Sequence, residues 1–220
     1  MTSPSTCCKF NISLERDTIF IAGRYCKYSR NLPQSAWGSS DGENEQNGES
    51  VGERISDVFV KHFGATSSRF TPSGREDVDV RMLGKGRPFV VQLLNARKNL
   101  NDNPNILNEL ANQINSDLRK EVFVNSLAQK KEKSIRLFYL KDVHCLTAKE
   151  QFFWMKAQQL DSFHFILRLQ TQAGTYVKEF VHSDFGRTCP SLAELMNLKL
   201  GILDILKLDV LSVELEWPPT

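Results

Sequence analysis

Two stretches of this 220-residue chain carry side chains that could do chemistry. The first is Ser73-Gly74-Arg75-Glu76-Asp77-Val78-Asp79-Val80-Arg81. Side chains alternate faces on a strand, so Val78, Val80 and Met82 read as the core face of a strand. Asp77, Asp79 and Arg81 then share its polar face. Such a face is ordinarily solvated, and exposed charge pairs by themselves do little. Asp77, however, follows a Ser-Gly-Arg turn, where a rigid element meets a loop, and reactive groups concentrate there. Asp77 and Asp79, about 7 Å apart at Cα, could also be a carboxylate pair for glycoside hydrolysis, but nothing else in the sequence resembles a sugar platform. The second stretch is Thr171–Thr188, where a strand runs into the Gly174 turn and then a helix. Tyr176 and Lys178 fall in the first turn. Taken singly, Tyr176 would be core and Lys178 solvated.

The elements that must hold these residues are legible as patterns. Phe10, Ile12 and Leu14 alternate with polar residues, and Thr18–Ala22 is a second strand candidate. Gly38–Gly52, rich in Gly, Ser, Glu and Asn, predicts a disordered acidic loop. Val51, Ile55, Val58/Phe59 and His62/Phe63 recur at helical spacing. Gly84-Lys85-Gly86 predicts a turn, with Arg87–Leu94 returning as a strand. Pro104 precedes a helix with Ile106, Leu110, Ile114 and Leu118 on one face. Ile135, Leu137 and Tyr139 suggest another strand, and Phe163, Phe165, Leu167 and Leu169 alternate most clearly of all. A short helix carries Tyr176/Val177 and Phe180/Val181, with Gly186 as its stop. Ser191-x-x-Glu194 is a capping box. Leu206–Trp217 predicts a bent strand or pair of strands. Strands outnumber helices and short turns join several of them, which favours one α+β domain over residues 1–220 with a mainly antiparallel sheet.

Composition excludes several classes. No apolar run approaches the ~18 residues of a membrane span, and Met1–Lys9 does not read as a signal peptide. The five cysteines show no Cys-x-x-Cys spacing, so neither zinc nor a disulfide framework is expected. The protein reads as intracellular and reduced. The net charge of +2 hides segregation. Arg81, Lys85, Arg87, Arg97 and Lys98 fall between residues 81 and 100 without an acid, and Arg24, Lys27 and Arg30 lie in a second basic run. Such patches can be the footprint of a polyanion, although solvated clusters are common. Asp184-Phe185-Gly186 lacks the other kinase signatures, Gly84-Lys85-Gly86 lacks phosphate-loop spacing, and the histidines are scattered.

Taken together, four stretches resemble a known family. They are Gly74–Phe89 (Gly-Arg-Glu-Asp-Val-Asp-Val-Arg-Met-Leu-Gly-x-Gly-Arg-Pro-Phe), Gln172–Thr188 (Gln-Ala-Gly-Thr-Tyr-x-Lys-Glu-Phe-Val-His-x-Asp-Phe-Gly-Arg-Thr), Ala22–Gln34 with Trp37, and Leu208-Asp-Val with Trp217-Pro-Pro. They look like the signatures of the Pus-ten family, the tRNA pseudouridine synthases of archaea and eukaryotes. The resemblance implies a pseudouridine synthase fold, with a mainly antiparallel sheet, flanking helices and an RNA cleft. It implies that Asp77, not Asp79, is the catalytic carboxylate. It further implies that Tyr176 and Arg75 meet the target uridine, that Lys178 pairs with Asp77, and that Val177 packs beside the base. The substrate would be a uridine in the T-arm of tRNA, with no metal and no cofactor, in a monomer of the nucleus or cytoplasm. Phosphates would meet Arg81, Lys85, Arg87, Arg24 and Lys27.

The chemistry suits these types. The N1–C1′ bond breaks, the uracil turns, and C5 bonds to C1′. A carboxylate can act as nucleophile, or take a proton from the sugar to give a glycal. The uridine must leave its stack and lie against an aromatic ring. The sequence also departs from the family. The N-terminal accessory domain of the family, with RNA- and zinc-binding parts, is expected to have no counterpart in these residues. The family's Lys-x-Tyr motif, whose tyrosine stacks on the target base, is replaced by Lys133-Ser134-Ile135, with Tyr139 four residues later. The stretch that usually follows is expected to be deleted between Lys141 and Phe152. Two functions therefore stand: an active synthase, or a catalytically impaired RNA-binding form of the same fold.

Overall fold

Apolar residues on both alternating faces of one strand place it at the centre of a sheet. Ile19–Lys27 (β1) is buried along almost its whole length. In the computed structural model, which describes residues 16–35, 50–100, 105–131 and 152–218, β1 pairs antiparallel with Arg81–Leu94 (β3) and with Val122–Lys130 (β4). Ser67–Pro72 (β2) closes the far side of β3, giving the order β2-β3-β1-β4. Val51–Phe63 (α1) and Ile106–Asn115 (α2) cover one face. The stripe Val51, Ile55, Phe59 and Phe63 recurs every four residues, so one side of α1 packs on Ile21, Tyr25, Phe89 and Val91. The other face carries Phe20, Ala22 and Val90 under Trp217 and Leu215.

A smaller unit follows in the chain. Phe152–Gln159 (β5) and Phe165–Thr171 (β6) form an antiparallel hairpin. Its inner face packs with Val177–His182 (α3) and Leu192–Leu195 (α4) around Phe180, Val181 and Leu192. Asp209–Val210 (β7) then returns to the first sheet, parallel to the start of β3, with Arg81 opposite Asp209. This is the α+β, mainly antiparallel architecture that the pattern of strands and helices predicts. Among the described residues no helix is long and apolar enough to cross a membrane.

Several local expectations change. Residues 38–49 of the expected loop lie outside the described residues, but its end is ordered. Ser50 caps α1 in a reciprocal capping box with Glu53, and Gly52 is buried in the first turn. The expected strand over Val78–Met82 begins only at Arg81. Asp77–Val80 is a tight turn closed by the Val80 N–H donating to the Asp77 carbonyl at 3.1 Å. Gly84-Lys85-Gly86 does not reverse the chain. Its glycines have positive φ (61° and 82°) and form a wide bulge inside one continuous strand, so that Tyr25 faces Arg87 while Lys27 faces Met82. A bulge needs the same backbone freedom as a turn, which is why the composition alone pointed to the wrong one. The second helix ends at Asn115, leaving Leu118 almost fully exposed. Phe163 sits in the hairpin turn before β6, and the left-handed Ser183, Asp184 and Phe185 end α3 ahead of Gly186. Of Leu206–Trp217, only β7 pairs as a strand. The candidate strands at 10–14 and 135–139 lie outside the described residues.

Candidate active site

The Asp77 turn lies where the two units meet. Gly74 has a positive φ of 79°, and residues 75 and 76 lead without regular structure into the turn at Asp77–Val80. The carbonyls of Asp77 and Val78 are received from below by the buried Lys27 and that of Asp79 by Arg30, and the side chains of Asp77 and Asp79 are 69% and 61% exposed. From the other unit, α3 presents Lys178. Its Nζ lies 2.9 Å from Asp77 Oδ2 and 2.9 Å from Asp79 Oδ1. The two signature stretches, about a hundred residues apart, thus meet through one ammonium. A single lysine between two carboxylates offsets their mutual repulsion. Burial works against the Lys178 charge, but its hydrogen bonds to Asp79 and Asp77 outweigh that and raise its pKa. The hydrogen bond from Lys178 holds Asp79 below the usual carboxylate range.

Tyr176, at the N-terminal edge of α3, is two-thirds exposed. Val177 is half-buried next to it, and Arg75 is exposed beside Gly74. Asp77 and Lys178 meet at this seam, with Tyr176 and Val177 beside Lys178 at the start of α3 and Arg75 two residues before Asp77.

The expected phosphate contacts fare differently. Lys85 is exposed on the bulge. Lys27 is fully buried, and its Nζ donates to the carbonyls of Leu32 (3.0 Å), Asp77 (3.0 Å) and Val78 (2.9 Å). All three ammonium protons are committed, so Lys27 cannot meet a phosphate. Arg87 is also buried. It pairs with Glu76, whose side chain is 1% exposed, and donates to the Ser73 carbonyl at 2.7 Å. Arg24 donates to the carbonyls of Trp217 (2.7 Å), Gly86 (2.9 Å), Val213 (3.3 Å) and Leu215, so it anchors the C-terminal strap to the sheet. Burial lowers its pKa. Arg81 forms a two-pronged ion pair with Asp209 (2.9 and 2.7 Å), which Arg30 joins at 2.5 Å. Basic residues that look like a footprint for a polyanion are here largely internal struts, because buried carbonyls and carboxylates require donors.

Glu76, Tyr25, Gln34 and Asp209 were not singled out from the sequence. Tyr25 donates to Glu76 Oε1 at 2.7 Å and accepts from Gln34 Nε2 at 2.7 Å. Burial first, and then Glu76, pushes the Tyr25 phenol well above its ordinary value, so it stays a donor. One signal was present. Ile19, Ile21, Tyr25 and Lys27 share the odd positions of β1, and period two places Lys27 on the core face with the others. Among the described residues no group of three His, Cys, Asp or Glu side chains could hold a metal ion.

Comparison with known proteins gives the family. The family model described as Pus10, C-terminal, matches residues 20–145 and 140–214. The chain is 40% identical to the tRNA pseudouridine synthase Pus10 of Mus musculus, over 99% of its own length and 48% of the relative's. It is 37% identical to the Homo sapiens protein of that name, over 98% and 48%, and 31% identical to that of Thermofilum pendens, over 92% and 54%. The chain spans about half the length of the curated relatives it matches. The mouse alignment runs over 265 residues against the 220 of this chain, and the match to the family model breaks at 140–145. The relatives thus hold additional residues within the matched span. With both signature stretches meeting at one ion pair, and the family match covering most of its length, the chain belongs to the Pus10 C-terminal family.

Proposed function

We propose that this chain is the catalytic domain of a tRNA pseudouridine synthase, converting uridine to pseudouridine in the T-arm, with Asp77 as the reacting carboxylate. The observation that carries the reading is the contact of Lys178 with Asp77 at 2.9 Å, at the exposed seam between the sheet and α3. The relatives, named as tRNA pseudouridine synthases, support the same reaction and substrate class.

A uridine flipped out of its stack would enter this seam, with the Tyr176 ring and the Val177 side chain against the base. Asp77 then either attacks C1′ or takes a proton from the sugar, and the N1–C1′ bond breaks. The uracil turns and C5 bonds to C1′. On the first route this releases the Asp77 carboxylate from C1′, and on the second Asp77 returns the proton to C2′. The proton lost from C5 is balanced by one gained at N1. The isomerisation is redox-neutral and requires no cofactor. Lys178 orients Asp77 and Asp79 as the charge on the reacting centre changes. Arg75 and Lys85, both exposed, remain for the RNA.

The test is single-turnover conversion of uridine in an unmodified tRNA transcript, comparing the parent with Asp77→Ala and Asp79→Asn. Conversion by the parent and by Asp79→Asn, with none by Asp77→Ala, is the expected result. Equal conversion by the parent and Asp77→Ala would overturn the assignment. The break in the family match at 140–145 favours one second reading, an RNA-binding form that has lost turnover. Tight tRNA binding without conversion by the parent decides for that form.

A further inference from the structure

We infer that Lys27 and Arg30 are positioning residues for Asp77, gripping three consecutive carbonyls of its turn from beneath so that the carboxylate is aimed into the seam. This rests on reading Asp77 as the reacting group. Lys27 Nζ donates to the carbonyls of Asp77 (3.0 Å) and Val78 (2.9 Å), and Arg30 Nη1 donates to that of Asp79 (2.7 Å). Both cations come from the end of β1 and the residues just after it. The grip extends upstream: Arg87 holds the Ser73 carbonyl (2.7 Å) and Gln34 holds that of Gly74 (3.1 Å). A surface turn ordinarily gives its carbonyls to water. This one gives them to the buried Lys27, Arg87 and Gln34 and to the partly exposed Arg30.

A lysine suits the central place. One atom with three protons reaches Leu32, Asp77 and Val78 at once, which a neutral amide cannot do. Burying an ammonium is costly without compensation. Here burial opposes the charge, but the carboxylates of Glu76, Asp79 and Asp77 lie near enough to offset part of that cost. With the carbonyls pulled toward β1, the side chains of Asp77 and Asp79 are left on the opposite side, where Lys178 meets them. Arg30 is tied in turn to Asp209 (2.5 Å) and the Leu208 carbonyl (2.9 Å), so the turn is fixed to β7 as well.

The experiment compares the parent chain with Lys27→Met, Arg30→Gln, Asp77→Asn and the core truncation Val124→Ala. It reads tRNA affinity, single-turnover rate, and amide exchange at Val80, whose N–H closes the turn. We expect Lys27→Met to lower the rate by about a hundredfold, the effect of a misplacement near 1 Å. Its tRNA Kd should stay within about twofold, since a group acting only on the reacting geometry leaves ground-state binding alone. Val80 should exchange faster while Val90 and Val91 in β3 keep their protection. Arg30→Gln, on a side chain a quarter exposed, should show the same split to a smaller degree and serves if Lys27→Met does not fold. Val124→Ala should weaken the fold without slowing the step. Parent-like rate and Val80 exchange in both Lys27→Met and Arg30→Gln would overturn the inference. Parent-like rate in Asp77→Asn would overturn the function instead. In a chain with no turnover, Val80 exchange alone decides.

Discussion

The two units that meet at Asp77 are built differently. The sheet unit buries Ile21, Ile55, Phe59, Phe89 and Val91 to 0% exposure. The hairpin unit leaves Trp154 half exposed, Phe163 at 90% and Phe185 at 99%. The carboxylate comes from the first, while Tyr176 and Lys178 come from the second. The difference separates two jobs. Under the proposed reading a reacting carboxylate is useful only if its direction is fixed, and Asp77 sits on the side with a dense core and a buried polar net beneath it. Groups that must admit a base and then close on it can sit on the side with fewer packed neighbours.

The comparison can be broken most sharply at the buried ion pair. Glu76→Ala would leave the Arg87 guanidinium buried without its carboxylate. About 3–5 kcal/mol of stability should be lost, read as the urea midpoint of the sheet unit. A loss under about 1 kcal/mol would mean that the polar net does not hold this side. A matched pair of truncations comes next. Phe59→Ala should cost about 3–5 kcal/mol, and Phe163→Ala within about 0.5 kcal/mol. Equal costs would erase the contrast between the units.

Gly84→Ala tests the joint between them. An added Cβ would lie 2.1 Å from the Leu211 carbonyl oxygen, at a φ of +61°. The strap after β7 must shift, at a cost of about 1–3 kcal/mol, and the exchange protection of Arg81 and Val210 should fall before that of Val91. Ser50→Ala removes the cap of α1 and should cost about 1 kcal/mol in a thermal melt.

The smallest effect is the pH dependence of the seam. Asp79 titrates below its ordinary value, so its contribution is present above the unfolded pKa of about 3.9 and is lost as pH falls through the folded value. Lys178 titrates above its ordinary value, so its contribution is present below about 10.4 and is lost as pH rises through the folded value. Both side chains are partly exposed, so Lys178→Met should cost less than about 1 kcal/mol. It should also flatten both shoulders of the stability profile. Unchanged shoulders would show that the seam pair does not couple to folding.

What could be read from the sequence followed from periodicity and from long motifs. The stripe Val51, Ile55, Phe59 and Phe63 gave α1, and Phe165, Leu167 and Leu169 gave β6. The Ser191-x-x-Glu194 box gave the start of α4. The family resemblance implies the pairing of Asp77 with Lys178, and their 2.9 Å contact matches it. What could not be read was the destination of charge. Lys27, Arg87 and Arg24 have the composition of a phosphate-binding run, yet each is consumed by carbonyls or by Glu76. The Gly84–Gly86 pair was legible as positive φ but not as a bulge.

The sequence by itself therefore determined the α+β class, the helix α1, parts of β1, β3 and β6, and, through the family resemblance, the pairing of Asp77 with Lys178, while β2, β4 and β5 carried no pattern that singled them out. What it determined depends on neighbours in the chain or on a motif long enough to be specific. Only the tertiary structure decided which cations face inward and how the Asp77 turn is held. Three carbonyls of that turn and those of Ser73 and Gly74 just upstream are satisfied by donors from β1, its following loop and β3. Which donor reaches which carbonyl depends on how the strands register in space. No local pattern encodes that, because a buried polar group is satisfied by whatever the fold brings within 3 Å of it.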